Sequence, residues 1–168
     1  VLIHTDEGIT GVGATHRANR FACRETVTRE IAPFLAGRDP FATERIWDDL
    51  FWKFNQRRLT GVWTATMSAV DIALWDIKGK VANMPVYKLL GGFTNRADTY
   101  IAGGYYEEGK GLKELAQEME DNVKLGARAV KIKVGAVPIN EDIERVRVCR
   151  DAIGPDIRLM VDANNAYR

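Results

Sequence analysis

The chain has 168 residues, of which 46% are hydrophobic and 28% are charged, as in ordinary globular proteins. Its 24 lysines and arginines nearly balance its 23 acidic residues, and a net charge of +1 gives no general attraction to nucleic acid or to an anionic membrane. The longest apolar region, around residues 62–77, is interrupted by Asp71 and Asp76, so we expect no membrane span there.

Residues 1–97 predict an α+β unit, a hairpin followed by helices. Two short strands, VLIHT and ITGVGA, are separated by Asp6-Glu7-Gly8, which has the composition of a turn. Helical segments are predicted over residues 22–36 and from Pro40 to about residue 53. The clearest helix covers residues 61–81, where one apolar stripe recurs at steps of three and four: Trp63, Met67, Val70, Leu74, Ile77 and Val81.

From about residue 98 the pattern becomes strand, helix, strand, helix, strand. The strands are predicted at residues 98–104, 128–134 and 157–162, and the second helix is expected to begin at an Asn140 cap. Because each connection contains a helix, the strands should be parallel, in a doubly wound sheet or in a barrel. The segment IAGGYY lacks the glycine spacing of a dinucleotide-binding loop, which favours the barrel without excluding the other fold.

Polar side chains lie where these strands end. Lys131 and Lys133 alternate with apolar residues, so both should point to one face of the strand, about 7 Å apart. Asp162 closes the third strand, and Asn164 follows it. Functional groups of parallel barrels gather at the C-terminal ends of the strands, so we expect the two lysines to meet Asp162. The alternatives are an exposed edge face for the lysines and a turn role for Asp162.

This combination suggests metal-assisted removal of a proton α to a carboxylate. A divalent cation held by Asp162 would stabilise the second negative charge that forms on the substrate. The base must be neutral before it acts, and repulsion between Lys131 and Lys133 should lower the pKa of at least one of them. Tyr105 and Tyr106, after the first strand, are expected to contact substrate or to pack under a loop. His16 is a further, weaker candidate.

Five motifs in order give the chain a resemblance to a known family. TDEGITGVG, SAVDIALWDIKGK, PVYKLLGG, VKIKVG and MVDANNAY resemble the mandelate racemase and muconate lactonizing branch of the enolase superfamily over essentially the whole chain. The resemblance implies a capping α+β domain at residues 1–97 and the first three βα units of a modified TIM barrel at residues 98–168. The barrel would therefore be incomplete, and the chain is expected to be a fragment that is inactive alone.

The resemblance also assigns roles. It implies Lys133 as the base, Lys131 as its partner near the substrate carboxylate, Asp162 as a Mg²⁺ ligand and Asn164 as a substrate-side residue. The sequence departs from the family where Ala14 stands, because a glutamate usually follows the hairpin glycines. The remaining metal ligands and the acid or base on the opposite side of the barrel belong to later strands. The family's first strand and mobile loop precede the hairpin and are not in this sequence.

The implied activity is abstraction of the α-proton of an α-hydroxy acid or sugar acid, followed by racemisation, epimerisation or dehydration. A muconate-type cycloisomerase is the alternative, and so is a non-catalytic α/β domain whose lysines bind an anionic ligand. The parent protein is expected to be a homo-oligomer without nucleic-acid or membrane partners. Cys23 and Cys149, far apart and without metal-ligand spacing, favour reduced thiols and a cytoplasmic location. Because the chain begins at Val1, we expect its natural N-terminus to lie upstream.

Overall fold

The structure of the chain is a computed structural model that describes residues 1–15, 20–55 and 61–167. It divides into two compact units, Val1–Asn95 and Arg96–Arg168, and a domain boundary after residue 97 stays a prediction. His16 lies outside the described residues. No helix in the described ranges is both long enough and apolar enough to cross a membrane.

The first unit begins with the predicted hairpin. Strands β1 (Leu2–His4) and β2 (Thr10–Val12) pair antiparallel, and residues 6–8 form the turn between them. The backbone N–H of Val12 donates to the Oδ2 atom of Asp76 at 2.8 Å, which fixes the hairpin to a long helix. The prediction of a hairpin followed by helices is confirmed.

The segment after the hairpin is less regular than predicted. In place of one helix over residues 22–36 there are three helical pieces: α1 (Arg20–Thr26), a π-helical stretch (Val27–Ile31) and α2 (Ala32–Leu35). Pro33 has no backbone N–H to donate, so a regular α-helical ladder is interrupted there. The N–H of Ala32 reaches back five residues to the carbonyl of Val27, which is the π-helical bond.

Helix α3 (Thr43–Asn55) begins later than the predicted start at Pro40. Asp39 causes the delay, because it closes a turn ahead of the helix. Its Oδ1 accepts the N–H of Phe41 at 2.8 Å, and its carbonyl accepts the N–H of Ala42 at 3.1 Å.

Helix α4 (Val62–Val81) carries the core of this unit. Its stripe packs against the preceding helices in one buried cluster: Ile31, Ile46, Leu50, Phe54, Met67, Val70, Leu74 and Ile77. Val81 was predicted to belong to the stripe, but it is 47% exposed because the helix ends there. Pro85 then precedes the short helix α5 (Val86–Leu89).

The second unit is an α/β sheet. Strands β3 (Ile101–Ala102), β4 (Ala129–Lys133) and β5 (Arg158–Asp162) are parallel, in the order β3-β4-β5. Helices α6 (Leu112–Lys124) and α7 (Ile139–Ile153) form the connections. They cover one face of the sheet in a second core: Leu115, Met119, Val130, Ile132, Cys149 and Ile153. The predicted alternation and the parallel pairing are confirmed.

Two local predictions in this unit are wrong. Strand β3 is shorter than residues 98–104 at both ends, and at its C-terminal end the chain leaves the sheet at Gly104, which has a left-handed φ of 60°. Asn140 does not cap α7. That helix begins at Ile139 directly after Pro138, without a side-chain cap, so Asn140 lies inside its first turn.

Candidate active site

Lys131 and Lys133 lie on the face of β4 that is turned away from the helices. Val130 and Ile132, which alternate with them, are fully buried in the core, whereas the lysine side chains are 17% and 18% exposed. The parallel register sets Lys133 directly beside Asp162 on β5. The expectation that the two lysines share a face and meet Asp162 is therefore confirmed.

Asp162 joins the two lysines through a single oxygen atom. Its Oδ2 accepts hydrogen bonds from Lys133 Nζ at 2.7 Å and from Lys131 Nζ at 3.1 Å. Its Oδ1 accepts the backbone N–H of Asn164 at 3.0 Å. Lys133 Nζ also donates to the side-chain Oδ1 of Asn164. Lys131, Lys133, Asp162 and Asn164 are called the lysine cluster below.

The turn at Asn164 follows from its backbone conformation. This residue has a φ of 44°, in the left-handed region that asparagine adopts more readily than most residues. The chain consequently folds back after β5, which brings both the N–H and the side chain of Asn164 to the end of the sheet. A single turn therefore adds a backbone donor and an amide oxygen to the site.

The charges in the cluster stabilise one another. Hydrogen bonds from Lys133 and then Lys131, with the Asn164 N–H in addition, hold the pKa of the Asp162 carboxyl well below its usual range. The hydrogen bond to Asp162, and after it the one to Tyr100, raises the pKa of Lys131. Repulsion was expected to lower the pKa of at least one of the two lysines, and the shift of Lys131 is in the opposite direction. The Asp162 carboxylate is within hydrogen-bond distance of both ammonium groups, and its hydrogen bond with Lys131 is the largest cause of that shift.

The two candidate tyrosines have different environments in the structure. Tyr105 is 47% exposed, and the centre of its ring lies 5.9 Å from Lys133 Nζ, which is compatible with a role in the site. Tyr106 donates its hydroxyl to Asp142 Oδ1 at 2.6 Å, and its ring lies under the guanidinium of Arg145. Both partners belong to α7, so Tyr106 is engaged in packing and the predicted substrate contact is not supported.

Tyr100 belongs to the site and was missed in the sequence. Its ring centre lies 5.0 Å from Lys131 Nζ, and its hydroxyl oxygen accepts a hydrogen bond from that atom at 3.4 Å. Strand alternation could have indicated it. Ala102 is the register partner of Lys131, and Tyr100, two residues before Ala102, is on the same face of the strand. Tyr100 could be found only once the register between β3 and β4 was known.

Asp162 provides a hard oxygen ligand of the kind that Mg²⁺ prefers. Both of its oxygens already accept hydrogen bonds from the cluster. No group of three or more His, Cys, Asp or Glu residues that could hold a metal ion occurs within residues 1–15, 20–55 and 61–167. Mg²⁺ requires near-octahedral oxygen coordination, so the described part of the chain supplies one candidate ligand and not a complete site.

The chain matches two family models. Residues 1–91 match the one described as mandelate racemase / muconate lactonizing enzyme, N-terminal domain, and residues 114–168 match the one described as enolase C-terminal domain-like. The two matches leave residues 92–113 between them, a segment that includes β3 and the start of α6.

Curated relatives and solved structures agree with these matches. An arabinonate dehydratase from Saccharolobus solfataricus is 39% identical, over 98% of this chain and 44% of its own length. A 3,6-anhydro-alpha-L-galactonate cycloisomerase from Streptomyces coelicolor is 37% identical, over 98% of this chain and 45% of its own length. The crystal structure of a racemase from Streptomyces coelicolor with bound magnesium has a TM-score of 0.89 at 34% identity, covering 99% of this chain and 50% of that one.

The chain thus spans about half the length of the proteins that it matches. Its α+β unit corresponds to their capping domain, and its three parallel strands correspond to part of their barrel. The chain belongs to the mandelate racemase and muconate lactonizing enzyme family of the enolase superfamily.

Proposed function

We propose that the full-length form, meaning a polypeptide that contains this chain and has the length of its relatives, removes the α-proton of a carboxylate substrate through an enediolate. The observation that carries this proposal is the lysine cluster, in which two ammonium groups, a carboxylate and an amide meet at the ends of parallel strands. In α/β barrels the active site lies at that edge of the sheet.

Lys131 is proposed to bind the substrate carboxylate. The hydrogen bonds from its Nζ to Asp162 and Tyr100 raise its pKa, so the side chain stays cationic at neutral pH. The Tyr100 ring next to the ammonium group restricts its position. A cation that is already held in place is suited to bind an anion, because it need not be ordered again on binding. Lys131 therefore orients the substrate with its α-carbon toward the neighbouring lysine.

Lys133 is proposed to be the base. It follows Lys131 by two residues on the same face, and its Nζ contacts both Asp162 and Asn164, so two side chains hold it in place. Asn164 is proposed to bind the substrate beside it. Mg²⁺, with Asp162 as one ligand, would supply the positive charge that stabilises an enediolate dianion.

The substrate class is proposed from the relatives. One curated relative is named for dehydration of arabinonate and another for cycloisomerisation of an anhydrosugar acid, while the structural neighbour is a racemase. We propose a sugar acid or another α-hydroxy acid as substrate, with dehydration or racemisation as the outcome. Cycloisomerisation is the alternative that the second relative favours. Cys23 and Cys149 are free and buried, and a cytoplasmic location stays a prediction.

The test compares Lys133→Met with the wild type in the full-length form. Exchange of the substrate α-proton in deuterium oxide is followed by proton NMR with arabinonate and a panel of other sugar acids. General bases contribute about 10²–10⁴ in rate, and the variant should lose at least this much. Lys113→Met, at an exposed position of α6, is the matched control and should exchange at the wild-type rate. Unchanged exchange in Lys133→Met, with the fold intact by circular dichroism, excludes Lys133 as the base.

A further inference from the structure

A buried polar cluster lies at the start of α7 and is not part of the lysine cluster. Asp142 is 3% exposed and Arg145 is 7% exposed, and both contact Tyr106. We propose that Asp142 is a positioning residue that holds the loops after β3 and β4, and thereby sets the placement of Lys133 and Tyr105. The inference deepens the proposed function and rests on it for its catalytic consequence.

The Asp142 carboxylate connects two loops that are distant in sequence. Its Oδ1 accepts the hydroxyl of Tyr106, in the loop after β3, at 2.6 Å. Its Oδ2 accepts the backbone N–H of Gly135, in the loop after β4, at 2.6 Å. The Tyr106 oxygen in turn accepts the N–H of Ala136 at 3.4 Å, which closes the connection. One buried side chain on α7 thus determines the separation of both loops.

The peptide groups around Gly104 are held from both sides. Nη2 of Arg145 donates to the Gly104 carbonyl at 2.7 Å, and the Gly104 N–H donates to Oε2 of Glu118, on α6, at 3.1 Å. The Arg145 guanidinium also lies 4.2 Å from the ring centre of Tyr106. Tyr105 is therefore flanked by two residues that the helices hold, which restrains the backbone from which its ring extends.

Arg145 does not form a close pair with Asp142. Its Nε lies 3.6 Å from Asp142 Oδ1 and is a buried atom without a hydrogen-bond partner among the described residues. The short hydrogen bonds of Asp142 go instead to the two loops. A carboxylate that served only to neutralise a buried arginine would be expected to make a closer contact with it.

The two loops lead directly into the lysine cluster. Gly135 stands two residues after Lys133, and the intervening Val134 N–H donates to the Asp162 carbonyl at 3.2 Å. A Cβ at Gly135 would lie 2.5 Å from the Cβ of Ala166, so this loop also packs against the segment that follows Asp162. Displacement of Gly135 would consequently shift both Lys133 and Asp162, the two partners of the hydrogen bond in the site.

The first experiment measures amide hydrogen exchange by NMR in the 168-residue chain. Tyr106→Phe removes only the hydroxyl, and Asp142→Asn replaces one acceptor oxygen. Tyr106→Phe removes the hydroxyl that donates to Asp142 and accepts the Ala136 N–H, so exchange should accelerate by about tenfold at Ala136 and, because the carboxylate is less restrained, at Gly135. The amides of Met119 and Cys149, in the interiors of α6 and α7, should change by less than about twofold. Asp151→Asn, at an exposed position on α7, is the matched control and should leave all these amides unchanged.

A purely structural role gives a different pattern. If Asp142 only stabilised the unit as a whole, every protected amide would accelerate by the same factor, and the positioning role would be wrong. Unchanged exchange at Gly135 and Ala136 in Tyr106→Phe would also overturn it. This arm needs no substrate, so it decides the positioning of the loops even if the proposed function fails.

The second experiment uses the full-length form and the α-proton exchange assay. Tyr106→Phe should lower kcat by about tenfold and change KM by less than about twofold, because substrate binding by Lys131 is retained while the alignment of Lys133 is lost. A wild type that exchanges no α-proton would refute the proposed function and leave the amide-exchange result standing. An active wild type with an equally active Tyr106→Phe would refute the catalytic part of the positioning role.

Discussion

Substitution of Gly104 by alanine is expected to destabilise the second unit. The residue has a φ of 60°, and a Cβ placed on it would lie 2.6 Å from the Cβ and 2.7 Å from the Cγ2 of Ile132. Ile132 is fully buried on β4 between the two lysines, and the atoms in question adjoin its backbone. Gly104→Ala should therefore destabilise the second unit by two separate effects.

The magnitude follows from these two effects. A left-handed backbone costs an alanine about 1 kcal/mol relative to glycine. Overpacking of a full core costs a further 1–3 kcal/mol or so, because Ile132 cannot move without disturbing the sheet. Gly109→Ala is the matched control, since Gly109 has a φ of 79° in the same loop and a Cβ added there would meet nothing within 4 Å beyond its chain neighbours. The control should show the first cost alone.

The assay must report on the second unit. All tryptophans, namely Trp47, Trp52, Trp63 and Trp75, lie in the first unit, so their fluorescence is unsuitable. Native-state amide exchange at Met119 and Cys149 reports on unfolding of the second core. Relative to Gly109→Ala, exchange in Gly104→Ala should be faster by about 5- to 150-fold, which corresponds to about 1–3 kcal/mol. Equal exchange in the two variants would refute the argument from packing.

Three further predictions concern the second unit. The pKa of Asp162 lies below its ordinary value of 3.8, so its stabilising contribution is present above that value and is lost as the pH falls through the lower folded value. Urea unfolding between about pH 7 and pH 3 should therefore show a shallower acid loss in Asp162→Asn, and parallel curves would contradict this. Calorimetry should detect no stoichiometric Mg²⁺ binding by the 168-residue chain, because the lysine cluster contains one carboxylate; binding that Asp162→Asn abolishes would contradict this. Burial raises the pKa of the Cys149 thiol to about 11, so iodoacetamide at about pH 8 should label it only as the unit opens, and labelling at the rate of a free thiol would contradict this.

The features that follow from local pattern were predictable from the sequence. Alternation in residues 129–133 separates a lysine face from a buried face, and the structure has the same separation. The helical connections made the strands parallel, and parallel strands end at the same edge. These two rules were sufficient to bring Lys131, Lys133 and Asp162 together, because no contact with a third element was needed.

The features that depend on distant neighbours were not predictable. Tyr105 and Tyr106 are adjacent in sequence and look equivalent, but only the second meets Asp142, 36 residues later in the chain. Tyr100 enters the site through the register of β3 against β4. The direction of the Lys131 pKa shift depended on a carboxylate from β5, which alternation along one strand does not reveal.

The same contacts explain how two neighbouring lysines are tolerated on a strand beside a core. Asp162 accepts a hydrogen bond from each of them with one oxygen, so each ammonium keeps a counter-charge within hydrogen-bond distance. When both lysines are protonated, two cations and one anion leave an excess positive charge on these three groups. That excess lies at the strand ends, next to the exposed Tyr105 and Tyr100 rings. An anionic group at this edge would offset that excess positive charge, so the electrostatics of the strand ends favour an anionic ligand.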